Sequence, residues 1–187
     1  MAEIAGLKLI VPSSVSASGG ATATVSASGK ITFSDVSSSK TFTIEDCFSA
    51  SYDNYLFVVR IWDGSGESLC VRLRASGSDA SGTNYVRQSI NAASTTVNSA
   101  RATGQTLMRI ASTGGGVLRN GSHAYIYGPY LAQPTAFRNT NVADASGAQI
   151  TDFAGTHSLS TSYTSVRVLS ESAAEIDGTI QIYGLAQ

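Results

Sequence analysis

Apolar and polar positions alternate with period two along most of this chain, and the 3.6-residue period of an amphipathic helix is nearly absent. Leu69, Val71 and Leu73 are set against Cys70, Arg72 and Arg74, giving one apolar and one polar face, the pattern of a half-buried antiparallel strand. Tyr55 to Trp62 is apolar on both faces except for Arg60, which predicts a central strand covered on both sides. Between these runs, Asp63-Gly64-Ser65-Gly66 supplies a capping side chain and glycines that accept positive φ, so Tyr55 to Arg74 reads as a β-hairpin. Further strands are predicted near Leu7–Val11, Ala21–Ser26, Lys30–Phe33, Thr41–Glu45, Tyr85–Ala92, Thr106–Ser112, His123–Gly128, Phe137–Asp144, Thr164–Ser170 and Gly178–Gly184. Their spacing of roughly 10 to 15 residues is the rhythm of a sandwich or barrel. Ala23 and Val25, then Gly29-Lys30, then Ile31 and Phe33 form a small N-terminal hairpin. Ala92 to Ala102 has room for a short helix, although its Ser, Thr and Asn content disfavours a long one. Gly114-Gly115-Gly116 reads as a flexible connector or hairpin tip.

Two echoes run through the pattern. Ala124-Tyr125-Ile126-Tyr127-Gly128-Pro129-Tyr130-Leu131 returns near the end as Ile180-Gln181-Ile182-Tyr183-Gly184-Leu185, and Phe48 to Tyr55 returns as Leu159 to Val166. They predict two halves that reuse similar strand entries and exits. No shift in composition divides residues 20–187, which read as a single all-β domain of the sandwich or barrel type. Residues 1–19 differ, because Leu7, Leu9, Ile10 and Val11 end at Pro12 and a Ser/Gly-rich stretch. The segment reads either as an edge strand of the domain or as an extended arm that docks on a neighbouring subunit. The arm is the preferred reading, since isolated apolar termini need something to cover them.

Composition narrows the function classes. Charged residues are 13% of the 187-residue chain, about half the usual share, and Ser, Thr, Ala, Asn and Gly take their place. With a net charge of −1 and dispersed arginines there is no basic stripe for nucleic acid. No apolar run approaches the roughly 18 residues of a spanning helix, and Leu7–Val11, with Lys8 inside and Glu3 before it, does not make a secretory leader. Cys47 and Cys70 read as free thiols, with a single bridge left open by sequence alone.

Little in the chain points to a reacting group. His123 and His157 lie in no metal-ligand spacing, the Gly64-Ser65-Gly66 run lacks the spacing of a nucleophile elbow, and no glycine cluster leads into Lys-Ser/Thr. Neither a catalytic residue, a metal ligand nor a cofactor is expected. Trp62, beside Asp63 and Glu67, is placed to stack on a sugar or to join its carboxylates in holding calcium; the plainer reading is a tryptophan that caps the core above a turn. Tyr127 and Tyr130 flank Gly128-Pro129 at a strand end, where they either meet another subunit or receptor or close the sandwich with their rings buried.

Leu9-Ile10-Val11-Pro12-Ser13-Ser14-Val15, Phe48 through Tyr55, Leu73-Arg74-Ala75-Ser76-Gly77, Tyr125 through Pro134 and Ile182-Tyr183-Gly184-Leu185 resemble small structural proteins of tailed bacteriophages, especially marine and cyanobacterial ones. The resemblance implies a non-enzymatic, jelly-roll-like sandwich exposed on the virion as a head decoration, knob or fibre tip. It implies a homotrimer of antiparallel β-sandwiches; the expectation built on it adds contact with the major capsid protein or tail components, assembly in the host cytoplasm, and attachment through residues 1–12. A receptor-binding fibre-tip module for host surface glycans is the alternative, with Trp62 its leading residue.

Overall fold

The computed structural model describes residues 6–64, 67–113, 120–143 and 149–186; the Gly114-Gly115-Gly116 connector and the Ser65-Gly66 half of the predicted turn lie outside them. Among the described residues there are sixteen strands and no helix. The first eight are β1 (Leu7–Ile10), β2 (Ser14–Ser18), β3 (Thr22–Val25), β4 (Ile31–Val36), β5 (Thr41–Glu45), β6 (Asn54–Gly64), β7 (Ser68–Ala75) and β8 (Ser78–Asp79). The remainder are β9 (Tyr85–Ala93), β10 (Thr96–Gln105), β11 (Met108–Ser112), β12 (Asn120–Tyr127), β13 (Thr135–Ala143), β14 (Gln149–His157), β15 (Ser165–Ser170) and β16 (Ile176–Leu185). They form an antiparallel β-sandwich. The larger sheet has ten strands in the order β10-β9-β14-β13-β12-β6-β16-β4-β3, with β1 also on β16; the smaller has six, β11-β7-β15-β5-β2, with β8 on β7.

The core lies where period-two faces meet. Val15, Ile44, Val166 and Leu73 line up across the smaller sheet, and Ala17, Phe42, Val168, Val71 and Met108 form the adjacent row. Tyr55, Phe57, Val59 and Ile61 on β6 and Ile180 and Ile182 on β16 are buried opposite them. Phe33 and Phe42 stack between the sheets with ring centroids 5.3 Å apart. Close packing also fixes one glycine: a Cβ on Gly155 would stand 2.0 Å from Val86 O and 2.5 Å from Phe137 Cζ, so that ring needs the bare backbone beneath it.

Several sequence expectations change here. Tyr55 to Arg74 is not a hairpin, because β6 and β7 belong to different sheets. Both edges of β6 are taken by β12 and β16, and both edges of β7 by β11 and β15, so each strand faces the other across the core. Nor is β6 covered on both sides: Val58 and Trp62 are 40% and 37% exposed, on the solvated face that an antiparallel sheet tolerates. The short helix over Ala92–Ala102 is the β9–β10 hairpin, turned at Ser94 with φ 54°. The predicted β3–β4 hairpin is present, closed through Gly29 at φ 68°. A further tight turn at Ser76-Gly77, both at positive φ, joins β7 to β8 in the two-residue form that suits strand twist.

The opening segment is the edge strand rather than the arm. Leu7, Lys8, Leu9 and Ile10 pair with Leu185, Gly184, Tyr183 and Ile182, on the length of β16 that β4 leaves unpaired. β2 in turn pairs with β5, so the sandwich takes in Leu7–Ser18 and does not start at residue 20. Backbone groups along β16 and β5 would otherwise lose their hydrogen-bond partners.

The echoes acquire a spatial meaning. β12 and β16, the two tyrosine-ended strands, flank β6, with Tyr125 and Tyr183 both in register with Leu56. The tyrosine of each Ser-rich turn then docks at one of those ends. The Tyr52 ring lies against Gly184, and Tyr163 N donates to Pro129 O at 2.8 Å.

The two faces of β6 predict a sharp contrast. Phe57→Ala, at a fully buried position, is expected to cost about 3–5 kcal/mol in urea unfolding. Val58→Ala, one residue on but on the open face, is expected to cost less than about 1 kcal/mol. Equal losses would mean that β6 is buried on both sides after all.

Candidate functional site

The residues singled out by sequence fall in three places. Tyr127 is 38% exposed and runs with Tyr125 and His123 along the outward face of β12; the two tyrosine rings are near-parallel, 6.0 Å apart. Tyr130 packs half-buried against the core, so the pair is split. Trp62 stands on the same outward face of the larger sheet but at the far end of β6 from Asn54, the register partner of Tyr127. Eight residues of strand separate those ends, roughly 26 Å. Asp63 Oδ1 accepts from the next residue, Gly64 N, at 2.8 Å. Among the described residues no three His, Cys, Asp or Glu side chains are grouped to hold a metal ion. Leu7 and Val11 are exposed, whereas Leu9 and Ile10 are half-buried on β16.

Both cysteines are free and buried, and burial pushes both thiols well above their ordinary range. His157 is fully buried, its ring tilted against Tyr85 at 4.3 Å and edge-on to Tyr163 at 5.4 Å, and desolvation lowers its pKa from 6.5. Tyr85 Oη in turn accepts from Leu73 N at 3.1 Å, joining β9 to β7 of the smaller sheet.

Two features emerge that sequence reasoning missed. The first is the β9–β10 ribbon, whose residues 94–101 are all exposed. On its outward side Val142, Ile150, Ala92 and Val97 form one cross-strand row, with Ile90 beside it. Ile90, Val97, Val142 and Ile150 are 45–69% exposed, and Arg101 is the one charged residue of β10. Beside this row the Arg138–Asp152 ion pair (2.7 Å) places Asp152 in register with Ile90, and on the smaller sheet Asp79 joins Arg74 and Arg167 (Nε to Oδ2, 2.7 Å).

The second feature is on the inward side of the same ribbon, a cleft of about 270 Å³ bounded by β9, β10, β14 and β11. Its lining is mostly amide and hydroxyl: Ser89, Asn91, Asn98, Ser112, Gln149 and Thr151. Asn91 Oδ1 accepts from Gln149 Nε2 at 2.9 Å and from Thr151 Oγ1 at 3.3 Å. Arg109, on the wall, places its guanidinium 5.6 Å over the Phe153 ring and grips Glu171 through Nε at 2.8 Å and through Nη2. Arg87 Nη1 reaches the same carboxylate at 3.1 Å.

No protein-family model matches the chain, and no curated protein is similar to it at a significant level. Among solved structures, the CBM22-1–GH10 modules of Clostridium thermocellum xylanase 10B, complexed with xylohexaose, align with 97% of this chain at 11% identity and a TM-score of 0.32. The chain spans 28% of that protein's length. A likeness this low leaves the function to be argued from the chain itself.

Burial of the titratable groups gives two expectations. Ellman's reagent should leave both thiols unreacted in the native protein and titrate both in denaturant; native reaction would show a cysteine outside the core. For His157 the unfolded chain takes up a proton near pH 6.5 that the folded chain resists, so stability falls as pH drops below that value. His157→Phe should flatten this fall, seen as a smaller difference between urea midpoints at about pH 7.5 and about pH 5. An unchanged difference would assign the acid sensitivity to other groups.

Proposed function

We propose that this protein is a non-enzymatic structural protein of a bacteriophage virion, displayed on the particle surface, that works by adding contact between neighbouring subunits. The phage assignment comes from the sequence resemblance, and the mode of action from the exposure of the β9–β10 ribbon. A ten-residue edge strand with no proline and a single charge is a template for sheet extension, and proteins normally protect such edges. Here the edge adjoins an uncharged apolar row, and together they form a surface that calls for a cover.

A second copy of the chain is the proposed cover. The edge pairs with its own kind, and the Val142–Ile150–Ala92–Val97 row carries no charge that another partner would need to match. A stable interface takes roughly 800 Å² from each side, about a tenth of this chain's 8614 Å². Three copies is the number implied by the resemblance, with the major capsid protein or tail components as the next layer of contact. Recognition of host surface glycans is a second reading, favoured by the amide-lined cleft.

Val97→Asp combined with Ile150→Asp tests the assembly reading. Wild-type protein is expected to sediment as an oligomer, and the variant as a monomer whose melting temperature stays within a few degrees, because both positions are exposed. A monomeric wild type, or an oligomer indifferent to both charges, would overturn it.

A further inference from the structure

The strand register carries a line of polar side chains straight across the inward face of the larger sheet: Ser122, Asn141, Thr151, Asn91 and Asn98, on β12, β13, β14, β9 and β10. Its buried end is fixed by the backbone of β11. Ser122 Oγ donates to Ile110 O at 2.6 Å, and Asn141 Oδ1 accepts from Ser112 N at 3.2 Å. Its open end is the floor of the cleft. We infer that this cleft binds a sugar residue of an uncharged glycan.

Two observations carry the inference. The lining offers amides and hydroxyls, which both donate and accept, as a polyhydroxylated ring requires. Because Asn91 Oδ1 takes both Gln149 and Thr151, the Nδ2 end of that amide is turned the opposite way. Charge selects against ions: among the described residues Arg109 is the one charged lining residue, and Glu171 already holds it. Among the described residues no carboxylate lines the cleft, so these residues offer contacts for holding a glycan and no acid pair to hydrolyse one.

Ala100 adds apolar ground for the C–H side of a ring. The volume suits about one sugar ring, below the range of drug-sized pockets. Trp62 lies on the outward face of the same sheet and takes no part, which relocates the glycan site expected there.

The inference deepens the glycan reading and stands apart from the assembly reading, since the inward face of the ribbon lines the cleft while its outward face and edge meet the second copy. The test is amide-resolved NMR titration of the full chain with methyl glycosides of glucose, galactose, mannose and N-acetylglucosamine, and with N-acetylneuraminic acid. The expected result is a saturable shift of the Asn91, Asn98 and Gln149 side-chain amides with at least one neutral sugar. Asn98→Ala, at an exposed position that leaves the fold intact, should weaken that binding by about tenfold, and Asn91→Ala by at least as much. Trp62→Ala should leave it unchanged. The Val97→Asp, Ile150→Asp variant should still bind, so loss of assembly and loss of sugar binding are read separately. No shift with any sugar, binding of the acidic sugar alone, or binding that follows Trp62 would each overturn the inference.

Discussion

A six-stranded sheet cannot cover one face of a ten-stranded sheet, and this mismatch in width governs the molecule. Where the sheets overlap, aliphatic and aromatic rows interlock and exclude water. Where the larger sheet runs past β11, its strands must satisfy their inward face by other means. Tyr85 reaches back to cap Leu73 N, and Arg87 and Arg109 share the carboxylate of Glu171. Amides replace aliphatics along the inward row. The cleft and the bare ribbon are therefore one consequence of geometry seen from its two sides.

That same transition explains why polar side chains are tolerated so deep. Asn139 and Asn141 are 1% and 0% exposed, at positions where a continuous core would place valine or leucine. They sit under the last strand of the smaller sheet, where Asn141 Oδ1 meets a β11 backbone group, Ser112 N, that has no further strand to pair with. Ser122 serves Ile110 in the same way. The seam thus closes the edge of one sheet with side chains of the other. An aliphatic residue at Ser122 or Asn141 would strand a backbone group of β11.

Fold class was legible because alternation survives wherever one face is cleanly buried, as at Leu69, Val71 and Leu73. The β3–β4 hairpin was legible because Gly29 marks a local turn. Pairing at a distance was not. Nothing in Tyr55 to Arg74 says whether the second strand lies beside the first or across the core from it, since both arrangements bury the same side chains. β14 escaped notice because its inward positions are Thr151, Phe153 and Gly155 while Ile150 faces out, which scrambles the signal. The cleft was invisible for a related reason. Asn91, Asn98, Asn141 and Thr151 each sit among small polar residues that read as ordinary solvent-facing sequence, and only the register of non-adjacent segments aligns them.

The pairing of the first strand with the last has a mechanical side. Leu7 lies opposite Leu185, and Ala186 N donates to Gly6 O at 3.0 Å, so the chain enters and leaves the sandwich at one spot. Tension applied between those points peels β1 from β16 one hydrogen bond at a time, instead of shearing a whole ladder at once. A load therefore frays this short hem first, and the aromatic interior behind it feels none of the pull until the hem has opened.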